Sequence, residues 1–117
     1  MTKKRDVHRP VKRSEYVIRF GSNNAANGWR DLVATKRNAM ADAWDWLTQT
    51  PRVITEKCYP LKGDLRTVVR DTRTYVQWQY KVPGGARIWY YVVEATSKQA
   101  GEVVLIRVAT SHPNETK

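Results

Sequence analysis

A set of basic side chains in the strand-rich half of the chain, with one histidine near its end, has the chemistry to handle a phosphodiester. The residues are Lys62, Arg66, Arg70, Arg73, Arg87, Arg107 and His112. Arginine presents a planar fork of donors that matches a phosphate bidentately. Histidine titrates near neutral pH, where it donates or accepts a proton. RNA brings its own nucleophile, the 2′-hydroxyl beside the scissile phosphate. A protein that cuts it must hold that hydroxyl in line and help remove its proton. It must also stabilise the extra charge on the phosphorane and protonate the leaving 5′-oxygen. Proton transfer of this kind is worth ~100- to 10,000-fold. Basic residues on strands more often form solvated faces, so spacing alone does not select this chemistry.

Other chemistries find few residues. One cysteine, Cys58, and two histidines, His8 and His112, cannot make a zinc site. The phosphate-cradling patterns GxxxxGK and GxGxxG do not occur. No metal or cofactor is therefore expected. Cys58 reads as a small buried side chain. A lone cysteine excludes an internal disulfide and fits a reducing cytoplasm. No apolar run approaches the ~20 residues of a membrane span, and the N-terminus lacks the apolar core of a signal peptide.

Charge points to a polyanionic partner. The 117 residues carry 21 Lys and Arg against 11 Asp and Glu, a net charge of +10. Residues 1–13 contribute +5, residues 14–50 are neutral, and residues 51–117 contribute +5. A positive surface of this kind attracts phosphates without regard to sequence. Residues 1–13 have little apolar content to bury and read as a disordered basic arm. Residues 14–117 read as a single domain.

The elements that must position these side chains follow from hydrophobic spacing. Thr74 to Val93 reads as two antiparallel strands about a Pro83-Gly84-Gly85 turn. In the first strand Val76, Trp78, Tyr80 and Val82 share one face, and Gln77, Gln79 and Lys81 the other. The second strand is apolar on both faces, which suits the middle of a sheet. Arg87 stands at its mouth, where it either takes a phosphate or pairs with an acid such as Glu94 or Glu102. Trp89 and Tyr91 lie on the second face, suited to core packing or to stacking on bases.

Upstream, Glu15 to Phe20 alternates as a short strand that adds to one edge of the sheet. Ala25 to Gln49 carries a helical apolar stripe through Trp29, Leu32, Val33, Met40, Ala43, Trp44 and Leu47. The stripe is interrupted at 35–38, with Asn38 as the N-cap of a second helix. Asp64 to Asp71 reads as a further strand. Glu102 to Thr110 reads as the last, with Val104, Ile106 and Val108 on one face and Val103, Leu105 and Arg107 on the other. The expected architecture is α+β: an N-terminal strand, a helix pair, then an antiparallel sheet of three to four strands.

In this order, Pro60-Leu61-Lys62-Gly63, the strand Arg87-Ile88-Trp89-Tyr90-Tyr91-Val92 and a final strand ending Ala109-Thr110-Ser111-His112 resemble the RelE/ParE toxin superfamily. The likeness runs over residues 15–117. It implies a small basic toxin, neutralised by a cognate antitoxin protein. RelE-like members cut mRNA, usually on the ribosome and without metal, whereas ParE-like members poison DNA gyrase. By this resemblance Arg87 binds the scissile phosphate and His112 is the general acid. Arg70 and Arg73 stand where other members carry basic residues. One branch has a glutamate base directly before its "PLK"; Tyr59 stands there in this chain, and Glu56, three residues earlier, is the candidate base. The stretch from Asp64 to Thr74 is longer than in short members. The function this implies is a metal-independent endoribonuclease acting on mRNA. A gyrase inhibitor and a non-catalytic nucleic-acid-binding domain are the alternatives.

Overall fold

The computed structural model describes residues 9–111. Most of the expected basic arm lies outside the described residues, and so does His112. In chain order the elements are β1 (Val17–Phe20), α1 (Asn23–Thr35), α2 (Arg37–Gln49), β2 (Cys58–Pro60), β3 (Thr67–Arg70), β4 (Arg73–Val76), β5 (Trp78–Val82), β6 (Ala86–Val93) and β7 (Glu102–Ala109). The α+β class is as expected. The main sheet has five strands in the order β1-β7-β6-β5-β2: four that follow the helices and, at one edge as expected, the N-terminal β1. It is also mixed: β1 runs parallel to β7, and the remaining pairs are antiparallel. β6 lies mid-sheet, as its two apolar faces require.

Both helices cover one face. Ala25 and Leu32 of α1 and Met40, Ala43 and Leu47 of α2 form one core with Tyr80, Ile88, Tyr90, Val103, Leu105 and Val108. Each such aliphatic side chain contributes ~1.5–3 kcal/mol on burial. Ser22 caps α1, its hydroxyl accepting the Ala25 N–H at 3.0 Å. The chain turns between the helices at Lys36 alone, so α2 begins before Asn38, which is not its cap. Gly28 lets α1 approach closely, because a methyl there would overlap the Val108 carbonyl.

Two expectations of phase fail. The strand read as starting at Thr74 breaks at Gln77. There the backbone N–H donates to the Arg66 carbonyl at 2.6 Å and the carbonyl accepts from Leu61 at 2.9 Å. β4 consequently leaves the sheet and pairs with β3 as a separate ribbon. In β7 a bulge lies where the register shifts between Trp89 and Tyr90 of its partner. The extra residue, Ile106, reverses the alternation. Val103, Leu105 and Val108 therefore all reach the core, while Arg107 pairs with Trp89. Ser22 donates to the freed Ile106 carbonyl at 2.6 Å, and Asn24 accepts the Val108 N–H at 3.2 Å.

Cys58 is buried, as expected, with its sulfur 3.0 Å from the Tyr90 hydroxyl, which itself donates to the Pro51 carbonyl. Burial pushes the Cys58 thiol up from its ordinary range, away from the reactive thiolate.

Candidate functional site

The face of the sheet turned away from the helices carries the polar and cationic side chains. Directly paired residues on neighbouring strands share a face. Tyr59 on β2 pairs with Gln79 on β5, Gln79 with Trp89 on β6, and Trp89 with Arg107 on β7. One row on, Lys81 pairs with Arg87, and Arg87 with Ala109. Lys81, Arg87 and Arg107 thus converge from three adjacent strands.

Aromatic rings support two of these cations. The Lys81 ammonium lies 5.2 Å from the centroid of the Tyr59 ring, and the Arg107 guanidinium 5.0 Å from that of Trp89. Gln79 ties the rings together. Its amide nitrogen donates to the Tyr59 hydroxyl at 3.0 Å, and its oxygen accepts the Trp89 indole N–H at 2.9 Å. Gln79 is only 2% exposed. A buried amide engaged at both ends fixes the position of both rings.

Arg87 is half-buried, and no acid among the described residues pairs with it. The two carboxylates that its neighbourhood offered are engaged elsewhere: Glu94 with Arg52 at 2.7 Å and Glu102 with Arg19 at 3.0 Å. One guanidinium nitrogen donates to the Ala86 carbonyl at 3.0 Å, while Nε is buried without a partner. A buried donor left in that state costs ~1–3 kcal/mol. An anion lodged on this face would relieve it.

Trp89 and Tyr91 are 5% and 9% exposed, so neither is the open platform that base stacking requires. Gln79 and Arg107 cover Trp89, and Tyr75 of β4 stacks on Tyr91 with ring centroids 4.4 Å apart. Burial, reinforced by Tyr75, pushes the Tyr91 phenol up. The same stack sets the β3–β4 ribbon over this face. Arg70 and Arg73 lie at the ribbon's end, directly opposite one another, and Arg66 lies at its base. Tyr91 is four residues from Arg87, roughly 13 Å along the strand. Lys62 is exposed, ahead of a single 3-10 turn at Gly63–Leu65.

Glu56 is not brought to Arg87. It lines a cleft of about 570 Å³ with Asp42, Asp45 and Trp46 of α2 and with Tyr80, whose ring belongs to the helix-side core. The reason is local: Thr55 and Cys58 form a tight bridge that turns the intervening residues toward α2. Lys81, Gln79 and Tyr59 had no assigned role in the sequence. The turn carries the missed signal for Lys81, because a three-residue Pro83–Gly85 connection pairs Val82 with Ala86 and hence Lys81 with Arg87. Among the described residues no group of three His, Cys, Asp or Glu side chains is placed to hold a metal ion, and no helix is long and apolar enough to cross a membrane.

No protein-family model matches the chain, and no curated protein matches it. Among solved structures it is similar to a YoeB/ParE toxin from Agrobacterium tumefaciens, at 17% identity over 80% of this chain and 96% of that one, with a TM-score of 0.58. The order of elements, the mixed sheet and the basic face described above thus belong to a chain with the fold of the RelE/ParE-like toxins.

Proposed function

We propose that this chain is the toxin of a toxin–antitoxin pair and an endoribonuclease that cuts mRNA by attack of a 2′-hydroxyl on the adjacent phosphate. The observation that carries this reading is Arg87, a guanidinium in the central strand with no acid partner among the described residues and an orphaned buried Nε. Its fork takes the non-bridging oxygens of the scissile phosphate. Lys81 and Arg107, from the flanking strands, add positive charge where the phosphorane develops and ease loss of the 2′-hydroxyl proton to solvent water as the attacking oxygen bonds to phosphorus. His112 follows Ala109, the partner of Arg87, by three residues and protonates the leaving 5′-oxygen in this scheme. Glu56 has no part in it, since it faces α2. The reaction uses no metal or cofactor. The target is mRNA on the ribosome, and a cognate antitoxin neutralises the toxin by covering the basic face. Similarity to a YoeB/ParE toxin supports the toxin assignment.

A second reading draws on the same face. Among the described residues the strand registers put no carboxylate in the two rows around Arg87. A ParE-like gyrase inhibitor, or a domain that only grips phosphate, needs none.

The test is induced expression with mRNA 5′ ends mapped by primer extension, for wild type, Arg87→Ala and His112→Ala. New cuts inside translated frames that disappear in both variants are the expected result. Growth arrest with an SOS response and no cuts would replace the ribonuclease with the gyrase inhibitor.

A further inference from the structure

We propose that the β3–β4 ribbon is a second phosphate-binding element that grips RNA a few nucleotides from the phosphate at Arg87. The inference takes its ligand from the ribonuclease reading. The ribbon is an odd element for stability alone. Among the described residues its strands pair only with each other and not with the five-stranded sheet. Val69 is 60% exposed at its surface. The ribbon is nevertheless anchored firmly: Gln77 donates to the Arg66 carbonyl from its backbone and to the Leu65 carbonyl, at 2.7 Å, from its side chain, and Tyr75 stacks on Tyr91.

The tip sets two like charges side by side. Arg70 and Arg73 are direct cross-strand partners, both are exposed, and neither makes an ion pair among the described residues. Like charges in that position destabilise a strand pair. The turn that enforces it is itself strained, with Asp71 and Thr72 at φ of 52° and 67°. A two-residue hairpin turn of this hand wants Asn-Gly, and β-branched Thr is poorly suited to it. Asp71, the carboxylate in the turn, carries one negative charge against the two guanidinium groups. A phosphate between the two forks would relieve their repulsion and use both bidentately. The Tyr75–Tyr91 stack places this tip over the face that holds Arg87. The offset of roughly 13 Å along β6 spans on the order of four stacked nucleotides.

The test uses a single-stranded, fully 2′-O-methylated RNA of about 20 nucleotides, longer than the usual single-strand site. Binding is titrated across a salt series for wild type, R70A/R73A, Arg87→Ala and Lys98→Ala, an exposed charge in the loop before β7. R70A/R73A is expected to weaken binding on the order of ten-fold and to lower the slope of log affinity against log salt by about 0.7, the value for one single-strand phosphate contact. Lys98→Ala is expected to behave as wild type. Both arginines are exposed, so the double variant keeps its fold, which a thermal melt checks. An R70A/R73A slope equal to that of Lys98→Ala, with a reduced slope for Arg87→Ala, would overturn the ribbon inference and leave the ribonuclease reading standing. Loss of antitoxin binding in R70A/R73A with RNA affinity unchanged would also overturn it, in favour of a protein contact. No RNA binding by wild type would overturn both readings together.

Discussion

Lys81 and Arg87 stand directly opposite one another across the β5–β6 hairpin, and neither is paired with an acid among the described residues. Stability does not select two opposed cations beside a buried, unpartnered Nε. Arg87→Ala should therefore raise stability by roughly 0.5–1 kcal/mol while lowering mRNA cleavage at least ~100-fold. Chemical denaturation and a cleavage time course measure the two effects. Arg87→Lys should not restore activity, because a point charge cannot replace the planar fork. A destabilised Arg87→Ala variant with intact cleavage would remove Arg87 from the site.

Gln79 should matter to both fold and activity. Gln79→Leu leaves the Tyr59 hydroxyl and the Trp89 indole N–H without their shared partner. The expected loss is about 1–3 kcal/mol, read as a lower denaturant midpoint. Cleavage should fall as well, since Lys81 and Arg107 rest on the two rings that Gln79 fixes.

Glu56→Gln should cut RNA like wild type, because Glu56 lines the α2 cleft on the opposite side of the sheet from Arg87. A loss of ~100-fold or more would return it to the role of general base, and would require the 55–57 turn to swing around the edge of β2.

Glu15 supplies a pH-dependent tie near the N-terminal end of the described chain. Two hydrogen bonds from Arg9, at 2.8 and 3.1 Å, and one from the Lys12 N–H at 2.7 Å hold this buried carboxyl below the usual carboxylate range. A lowered folded pKa contributes stability that is present above the unfolded value of about 4.3 and lost as pH falls through the folded one. Wild type should exceed Glu15→Gln in melting temperature near neutral pH. The difference should shrink below about pH 4 and vanish in stronger acid. A difference that stays constant into acid would show that the carboxylate charge contributes nothing.

What the sequence determined by itself was everything that repeats locally. Strict alternation in Trp78–Val82 and a Pro-Gly-Gly turn define the hairpin, because strand period and positive φ are properties of a few neighbouring residues. The 3.6-residue stripe defines the helices for the same reason, and doubly apolar Ile88–Val93 places Arg87 in a middle strand. Tertiary structure alone decided where these pieces meet. The bulge at Ile106 reversed the outer half of β7, and only then did Arg107 join Trp89 and Arg87. Gln77 broke the strand to satisfy Leu61, Leu65 and Arg66, residues more than ten positions upstream. Trp89 and Tyr91 are covered because Gln79 and a ribbon strand close over them, and Glu56 was turned to the far side by a bridge at Thr55. Each of these outcomes depends on a hydrogen bond or ring contact between separate segments, which no local period encodes.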